Sequence, residues 1–194
     1  MANLNTQVFY DINDFARDTP WLQPIVFGYA TYGVVLFAIL LLAGWWTARR
    51  AGDLVAMTAA VWAPLGVLAA VAINQPIADA INSARPCNEL SHIVVMHCNT
   101  DGGLPSDHAV MAGAVAAGVW LVNRRLGIIA ALAAIVMAFA RVYVAAHYPL
   151  DVLAGLVLGA LISVVGYLLA RPVLDRLLVV AARTPLRVLL AAAP

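Results

Sequence analysis

The stretch Arg141-Val-Tyr-Val-Ala-Ala-His147-Tyr-Pro-Leu-Asp151 places three ionisable side chains between two long apolar segments. Arg141 follows Arg125 by sixteen residues, roughly 24 Å of helix, so it reaches the far edge of a membrane's hydrocarbon layer, where a charge is costly and usually functional. Pro149 disfavours helical geometry in the preceding residue, which predicts a helix that starts near Pro149. The stretch therefore predicts an imidazole at a helix N-terminus, where anions are favoured, with the Asp151 carboxylate beside its second nitrogen. Taken alone, it also fits a structural histidine capped by a local acid.

The composition is that of a membrane protein with several spans. The chain has 194 residues, of which 64% are hydrophobic and 11% charged, and its mean hydropathy is +0.91. All eleven basic residues are arginine, which excludes a lysine-based mechanism, and a net charge of +1 gives no reason to expect nucleic-acid binding. Residues 1–20 carry three aspartates and one arginine, unlike the basic start of a signal peptide, so we expect no cleaved leader.

The apolar pattern predicts an all-α fold, a single domain over residues 1–194 built as a polytopic bundle of five transmembrane helices. Residues 1–20 form a predicted interfacial helix, because apolar residues recur at helical spacing between Val8 and Ala16 with acidic residues on the other face. The bundle occupies residues 25–170, and residues 171–194 form a basic tail along the surface. The predicted spans cover residues 25–46, 54–73, 105–122, 126–144 and 150–170.

The arginines predict the orientation of the bundle, because cytoplasmic loops are enriched in them. Eight fall on one side of the five spans and three on the other. The larger group is Arg49, Arg50, Arg124, Arg125, Arg171, Arg176, Arg183 and Arg187, and the smaller group is Arg17, Arg85 and Arg141. The C-terminal tail is therefore expected in the cytoplasm, and the polar stretch 74–104 and His147 on the outer side.

A second cluster of polar residues, Pro105-Ser106-Asp107-His108, comes after a Gly-Gly turn and begins the third span. Free backbone N–H groups, a hydroxyl and an imidazole would there face one point outside the membrane, where a phosphate fits. A structural Ser/Asp cap with an interfacial histidine is the alternative. Arg85-Pro86 by itself is ordinary, since arginine is common at the start of a loop.

Taken together, Arg85-Pro86, Pro105-Ser106-Asp107-His108 and the Arg141–Asp151 stretch resemble the type 2 phosphatidic acid phosphatase (PAP2) superfamily. The resemblance covers about residues 78–151 by motif and most of the chain by its pattern of spans. The N-terminal surface helix, the small size and Asp107 are most similar to the bacitracin-resistance branch, the undecaprenyl-diphosphate phosphatases.

The resemblance implies a role for each matching residue. His147 would be the nucleophile that takes the phosphoryl group, and Asp151 would orient it. His108 would protonate the leaving oxygen and then help water to attack the phosphohistidine. The phosphate oxygens would be held by a substrate-binding set consisting of Arg85, Arg141, Ser106 and Asp107. Such chemistry depends on positioning and positive charge, for which guanidinium groups are suited.

The sequence departs from the superfamily pattern at three positions. The usual lysine seven residues before the first arginine is Ala78, the usual glycine of the second motif is Asp107, and the usual serine before the second arginine is Ala140. Two phosphate donors are therefore missing. Because Asp107 would bring a negative charge beside an anion site, we expect its side chain to turn towards His108 or an arginine.

Two further features of the polar stretch concern cysteine and histidine. Cys87 and Cys98 fall on the outer, oxidising side, and a disulfide between them would contribute roughly 3 kcal/mol by restricting the unfolded chain; two free thiols are the alternative. His92 and His97, with Cys98 and His108, are residue types that bind metals, but their spacing matches no familiar zinc pattern. We expect solvated loop residues there, with no metal and no cofactor.

The resemblance implies a metal-independent enzyme of the bacterial plasma membrane whose partner is a lipid phosphate. We expect it to remove the terminal phosphate of undecaprenyl diphosphate at the outer leaflet, recycling the carrier lipid for peptidoglycan synthesis. The same motifs also fit phosphatidylglycerol phosphate, phosphatidic acid or a polyprenyl-phosphate sugar as substrate. A non-catalytic lipid transporter or scaffold is the alternative from another class, and the motifs do not predict an oligomeric state.

Overall fold

The computed structural model describes residues 4–190, and all the regular structure in this range is helical, as the apolar pattern predicts. The helices are α1 (Leu4–Asp18), α2 (Gln23–Tyr32), α3 (Val34–Ala51), α4 (Leu54–Ile81), α5 (Pro86–Glu89), α6 (Asp107–Val122), α7 (Arg124–Tyr143), α8 (Pro149–Ala181) and α9 (Arg187–Leu190).

Within the described residues, α3, α4, α7 and α8 are long and apolar enough to cross a membrane. The remaining apolar helix, α6, has 16 residues, or about 24 Å, which is less than a bilayer's hydrocarbon thickness. It is the central helix of the bundle, in contact with α3, α4, α7 and α8. The structure therefore supports a polytopic bundle, while the count of five spans remains a prediction.

The first predicted span is divided into α2 and α3 at Gly33. At this residue the backbone lies so close to the Tyr29 carbonyl and the Met137 side chain that there is no room for a Cβ atom. The second predicted span is longer than expected, because α4 continues through Pro64 and Pro76 to Ile81.

The last helix is longer than the predicted span 150–170, because α8 continues through Pro172 to Ala181. Proline removes one helical hydrogen bond, but tertiary contacts compensate for it. Thr58 on α4 donates to Asp175 at 2.6 Å, and Leu178 is buried in a cluster with α3 and α4. Residues 171–181 of the predicted tail are therefore helical, residues 191–194 lie outside the described part, and the surface location of the tail stays a prediction.

The tight packing of α6 against α8 depends on glycines of both helices. Gly155 and Gly159 on α8 and Gly113 on α6 face the backbone of the opposite helix, with no space for a side chain. Small residues at such positions allow two helices to pack closely. The contact fixes the N-terminal end of α6 against the N-terminal end of α8.

The N-terminal helix α1 packs across this same end of the bundle. Phe9 is fully buried and stacks edge-to-face with Tyr148. The buried Asn13 side chain donates to the carbonyl of Val94 and accepts from its N–H, and Arg17 donates to the carbonyl of His92. Through these bonds α1 holds the polar stretch between α4 and α6 over the ends of α7 and α8.

Candidate active site

The loop between α7 and α8 carries His147 into the protein. The helix ends at Tyr143, and the buried Ala145 adopts a left-handed conformation with φ of 65°. The N–H of Ala146 then returns to the carbonyl of Arg141 at 3.1 Å. This tight reversal is what directs the His147 ring inwards, so that its side chain is only 2% exposed.

Hydrogen bonds at both ring nitrogens fix the tautomer of His147. Nδ1 lies 2.8 Å from the Gly103 carbonyl, which only accepts, and Nε2 lies 2.8 Å from Nη1 of Arg85, which only donates. Nδ1 therefore carries the proton, and the lone pair is on Nε2. This is the arrangement required if Nε2 is to act as a nucleophile.

The surroundings also keep His147 neutral. Burial, followed by the positive charges of Arg85 and Arg141, lowers the pKa of His147 from 6.5 to about 3, and the hydrogen bond to Gly103 opposes this only in part. The imidazole thus remains unprotonated in neutral and mildly acidic solution. A neutral ring next to two guanidinium groups is an electron-pair donor in a cationic environment.

Asp151 lies beside His147, but the hydrogen bond that sequence analysis assigned to it goes elsewhere. Its Oδ2 atom is 3.7 Å from Nδ1 of His147, beyond hydrogen-bond range, because Gly103 occupies that nitrogen. Oδ2 instead accepts from the N–H of Tyr148 at 2.8 Å and caps α8. Asp151 therefore fixes the backbone next to the histidine, and Gly103 is the orienting partner that sequence analysis missed.

Arg85 makes four hydrogen bonds and one ion pair. Three of the hydrogen bonds go to main-chain carbonyls, from Nε to Asp101 at 3.0 Å, from Nη1 to Ala146 at 3.1 Å and from Nη2 to Gly102 at 3.2 Å. Nη1 also donates to Nε2 of His147 at 2.8 Å, and Nη2 forms an ion pair with the Asp101 carboxylate at 3.1 Å. The guanidinium is thereby held rigidly against the candidate nucleophile.

Arg141 differs from Arg85 because its charge is buried and unpaired. The residue is 3% exposed, and within residues 4–190 its guanidinium has no hydrogen-bond partner and no carboxylate within 4 Å. Ser106, the first residue before α6, likewise has a buried hydroxyl without a partner in the described chain. Buried polar groups are rarely left unpaired, so these two side chains indicate a site for an anion.

His108, in the first turn of α6, is half-buried and interacts electrostatically with both Arg141 and His147. The fold thus brings together the two histidines that lie far apart in the sequence. Backbone N–H groups in the first turn of α6 have no partner within the helix, so they add donors beside His108.

His97 is a third histidine near the site, where sequence analysis expected only a solvated loop residue. The backbone N–H of His97 donates to the carbonyl of Val144. Burial, together with the charges of Arg141 and Arg85, lowers the pKa of the His97 imidazole. No motif marks it, because its position depends on how the loop folds back over α7.

Asp107 does not contact His108 or an arginine, contrary to the expectation from sequence. Its carboxylate accepts from the Asn74 amide at 2.6 Å and from the Gln75 amide at 2.9 and 3.0 Å. Both amides come from α4, so Asp107 joins α6 to α4. Its charge still acts electrostatically on His108 and Arg141, and a direct role in substrate binding stays a prediction.

The loop above the site is closed by a disulfide between Cys87 and Cys98.

Within the described residues, no group of three histidine, cysteine, aspartate or glutamate side chains is arranged to hold a metal ion. Ala78 is at the position where the superfamily usually has a lysine. Its carbonyl oxygen is so close to Gly102 that a Cβ atom on Gly102 would not fit. The backbone of the loop therefore packs directly against α4 at Ala78.

A sequence model of the PAP2 superfamily matches residues 59–173, which include both arginines and both histidines of the site. Undecaprenyl-diphosphatase BcrC of Bacillus subtilis is 27% identical over 161 residues, covering 82% of this chain and 81% of the relative. Bacitracin transport permease protein BcrC of Bacillus licheniformis is 25% identical over 162 residues, covering 82% and 77%.

Two solved structures share the fold. LpxE of Aquifex aeolicus superimposes with a TM-score of 0.59 at 22% identity, covering 84% of this chain and 94% of that chain. The first transmembrane PAP2-type phosphatidylglycerolphosphate phosphatase of Bacillus subtilis gives a TM-score of 0.59 at 20% identity, with 84% and 85% covered. At these identities the likeness concerns the helix arrangement alone.

Proposed function

The chain belongs to the PAP2 superfamily of membrane phosphatases, and from this premise we propose that it removes the terminal phosphate of undecaprenyl diphosphate or a related polyprenyl diphosphate. The product, a polyprenyl phosphate, is the carrier lipid that cell-wall synthesis reuses. The reaction needs no metal or cofactor in this proposal.

The observation that carries the proposal is the buried, unpaired guanidinium of Arg141 beside a neutral His147. A cation without a partner is stabilised by an anionic ligand, and the guanidinium fork matches two phosphate oxygens. An unprotonated Nε2 is at the same time a nucleophile. A lipid carrier or scaffold would have no need for this combination.

The proposed reaction has two steps. Nε2 of His147 attacks the terminal phosphorus, the bond from phosphorus to the bridging oxygen breaks, and protonated His108 gives its proton to that oxygen as polyprenyl phosphate leaves. Water then attacks the phosphohistidine, His108 takes a proton from the water, and the nitrogen–phosphorus bond breaks to release inorganic phosphate. Arg141, Arg85 and Ser106 hold the charged oxygens through both steps.

The choice of a polyprenyl diphosphate is supported by the Bacillus subtilis relative that is named an undecaprenyl-diphosphatase and matches 82% of this chain. The fold is shared with a phosphatidylglycerolphosphate phosphatase, so that glycerolipid is the second candidate substrate.

We also propose that the site faces the outside and the C-terminus the cytoplasm. This orientation is supported by eight arginines on the side of the bundle opposite His147. Six are at or beyond helix ends, namely Arg49, Arg50, Arg124, Arg125, Arg183 and Arg187, and Arg171 and Arg176 lie in the C-terminal part of α8.

Phosphate release by the purified protein in detergent, with EDTA present, tests the proposal. We expect faster release from undecaprenyl diphosphate than from phosphatidylglycerol phosphate, and inhibition by vanadate, which imitates the five-coordinate phosphoryl group. Preference for the glycerolipid would transfer the assignment to the second candidate. Loss of activity with EDTA would show that a metal is needed.

Replacing the nucleophile provides the most direct control. His147→Ala is expected to lower kcat by at least about 1000-fold, because Nε2 of His147 is the atom that forms the bond to phosphorus in the proposed reaction. His92→Ala, which changes an exposed loop histidine, should leave kcat near the wild-type value. Full activity in His147→Ala would refute the phosphohistidine mechanism.

A further inference from the structure

The partners of the Arg85 guanidinium differ in how easily a ligand can replace them. The carbonyls of Asp101, Gly102 and Ala146 belong to a backbone that is itself held in place, for example by the bond from Gly103 N–H to the Ser83 carbonyl at 2.8 Å. Three of the four hydrogen bonds therefore anchor the guanidinium. The fourth, to Nε2 of His147, and the ion pair with the Asp101 carboxylate involve side chains that can change partner.

The bond to His147 must be given up during the reaction, because the lone pair of Nε2 becomes the bond to phosphorus. The bond to the Asp101 carboxylate is also easily lost, since that side chain is 57% exposed whereas the Arg85 side chain is 5% exposed. Water can replace arginine as the partner of an exposed carboxylate at small cost.

The two exchangeable contacts lie one on each terminal nitrogen of Arg85. The two terminal nitrogens of a guanidinium can bind two oxygens of one phosphate in a bidentate manner. A phosphate that takes both would sit against Nε2 of His147, where phosphoryl transfer requires it. It would also take the place now held by the Asp101 carboxylate.

We propose, on the basis of the phosphatase function proposed above, that Asp101 is a positioning residue that stands in for phosphate on Arg85 in the free enzyme. It keeps the guanidinium in the position needed for binding and competes with phosphate for the same terminal nitrogen, Nη2. The carboxylate stays close because the carbonyls of Asp101 and Gly102 accept from Arg85 and the N–H of Gly103 donates to Ser83, three to five residues beyond the disulfide-bonded Cys98. The return of Asp101 to Arg85 thus favours release of the phosphate product.

The test is the competitive inhibition constant of vanadate and of inorganic phosphate for Asp101→Asn. Removal of the competing charge is expected to lower both constants by roughly three- to tenfold, the range for an exposed ion pair near a second cation. Asp101→Glu, which keeps the charge, should restore values close to wild type. If Asp101→Asn does not fold, Asp101→Ser provides the same comparison.

Glu89→Gln is the matched control, because it removes one negative charge from the same loop but its carboxylate binds the Tyr148 hydroxyl and not an arginine. Its inhibition constants should remain at the wild-type values. Constants that are unchanged or higher in Asp101→Asn, or lowered equally in Glu89→Gln, would overturn the inference. Failure of the phosphatase proposal is distinguishable, since the wild-type protein would then release no phosphate from any lipid tested.

Discussion

His147 illustrates how strongly a few neighbours determine the chemistry of one side chain. The ring is buried, its Nδ1 proton is directed at Gly103, and its lone pair faces Arg85. Because positive charge and burial both oppose protonation, the residue is held in the one state that can attack phosphorus. Asp151 acts on the same residue indirectly, through the backbone of Tyr148.

The lowered pKa of His147 makes the stability of the protein depend on pH. The pKa is about 3 in the folded chain and near 6.5 when unfolded, so between these values the unfolded chain binds more protons. The free energy of unfolding should therefore fall as the pH falls below about 6.5. His147→Gln, which keeps the donor to Gly103 but does not titrate, should show a shallower fall in thermal midpoint between about pH 7 and pH 4.5. Identical pH profiles for the two proteins would contradict the prediction.

Asp107 is expected to matter for stability more than for turnover. Asp107→Ala leaves the amides of Asn74 and Gln75 without their carboxylate partner, which should cost about 1–3 kcal/mol. Thermal unfolding in detergent should show a lower midpoint, while kcat measured below the unfolding range stays within about threefold of wild type. A loss of kcat comparable to that of His147→Ala would instead place Asp107 in the chemistry.

At the scale of elements, the contact between α6 and α8 determines where the two histidines meet. His108 is in the first turn of α6, and His147 lies just before α8. Glycines on both helices allow their backbones to touch, so the distance between the histidines is set by backbone contact and not by long side chains.

Gly159→Ala should therefore reduce activity although the glycine is far from the reacting atoms. A Cβ atom at this position would overlap the Val110 carbonyl, so the helices must separate. We expect at least about a tenfold loss of kcat together with a lower thermal midpoint. Gly28→Ala is the control, because a Cβ atom at Gly28 meets open space. Equal behaviour of the two variants would show that the helix contact does not position the site.

At the scale of the whole molecule, the ends of the bundle differ in chemistry. One end holds the candidate site, covered by α1 and the disulfide-closed loop, and the other holds the ends of α3 and α8 with most of the arginines. There Trp45 and Arg49 donate to the carbonyls of Leu189 and Val188, so the C-terminal segment returns to α3.

The proposed orientation predicts which end reacts with a membrane-impermeant maleimide in intact cells. The two native cysteines are disulfide-bonded and should not react, so single cysteines can be introduced at exposed positions. Asp11→Cys on α1 should be labelled in intact cells, and Thr184→Cys only after permeabilisation. The reverse pattern would place the site in the cytoplasm.

The amino-acid sequence alone predicted the helical class, which the structure confirms, because apolar periodicity and helix-breaking prolines act locally. The roles of the site residues come from the resemblance of three motifs to a family and stay predictions. The continuation of α8 past Pro172 could not be predicted in this way. It is stabilised by contacts between helices, in which Asp175 of α8 accepts from Thr58 of α4 and Leu178 packs against α3 and α4. Local signals overestimate the effect of a proline when tertiary contacts oppose it.

Only the tertiary structure decided which polar groups pair with which. Gly103 binds His147 across 44 residues of sequence, Asp107 turns to α4, and Asp101 reaches Arg85 across the loop. Hydrogen bonds are short-ranged and directional, so their partners are fixed only once the helices have packed, whereas the tendency of apolar segments to leave water is already present in the chain.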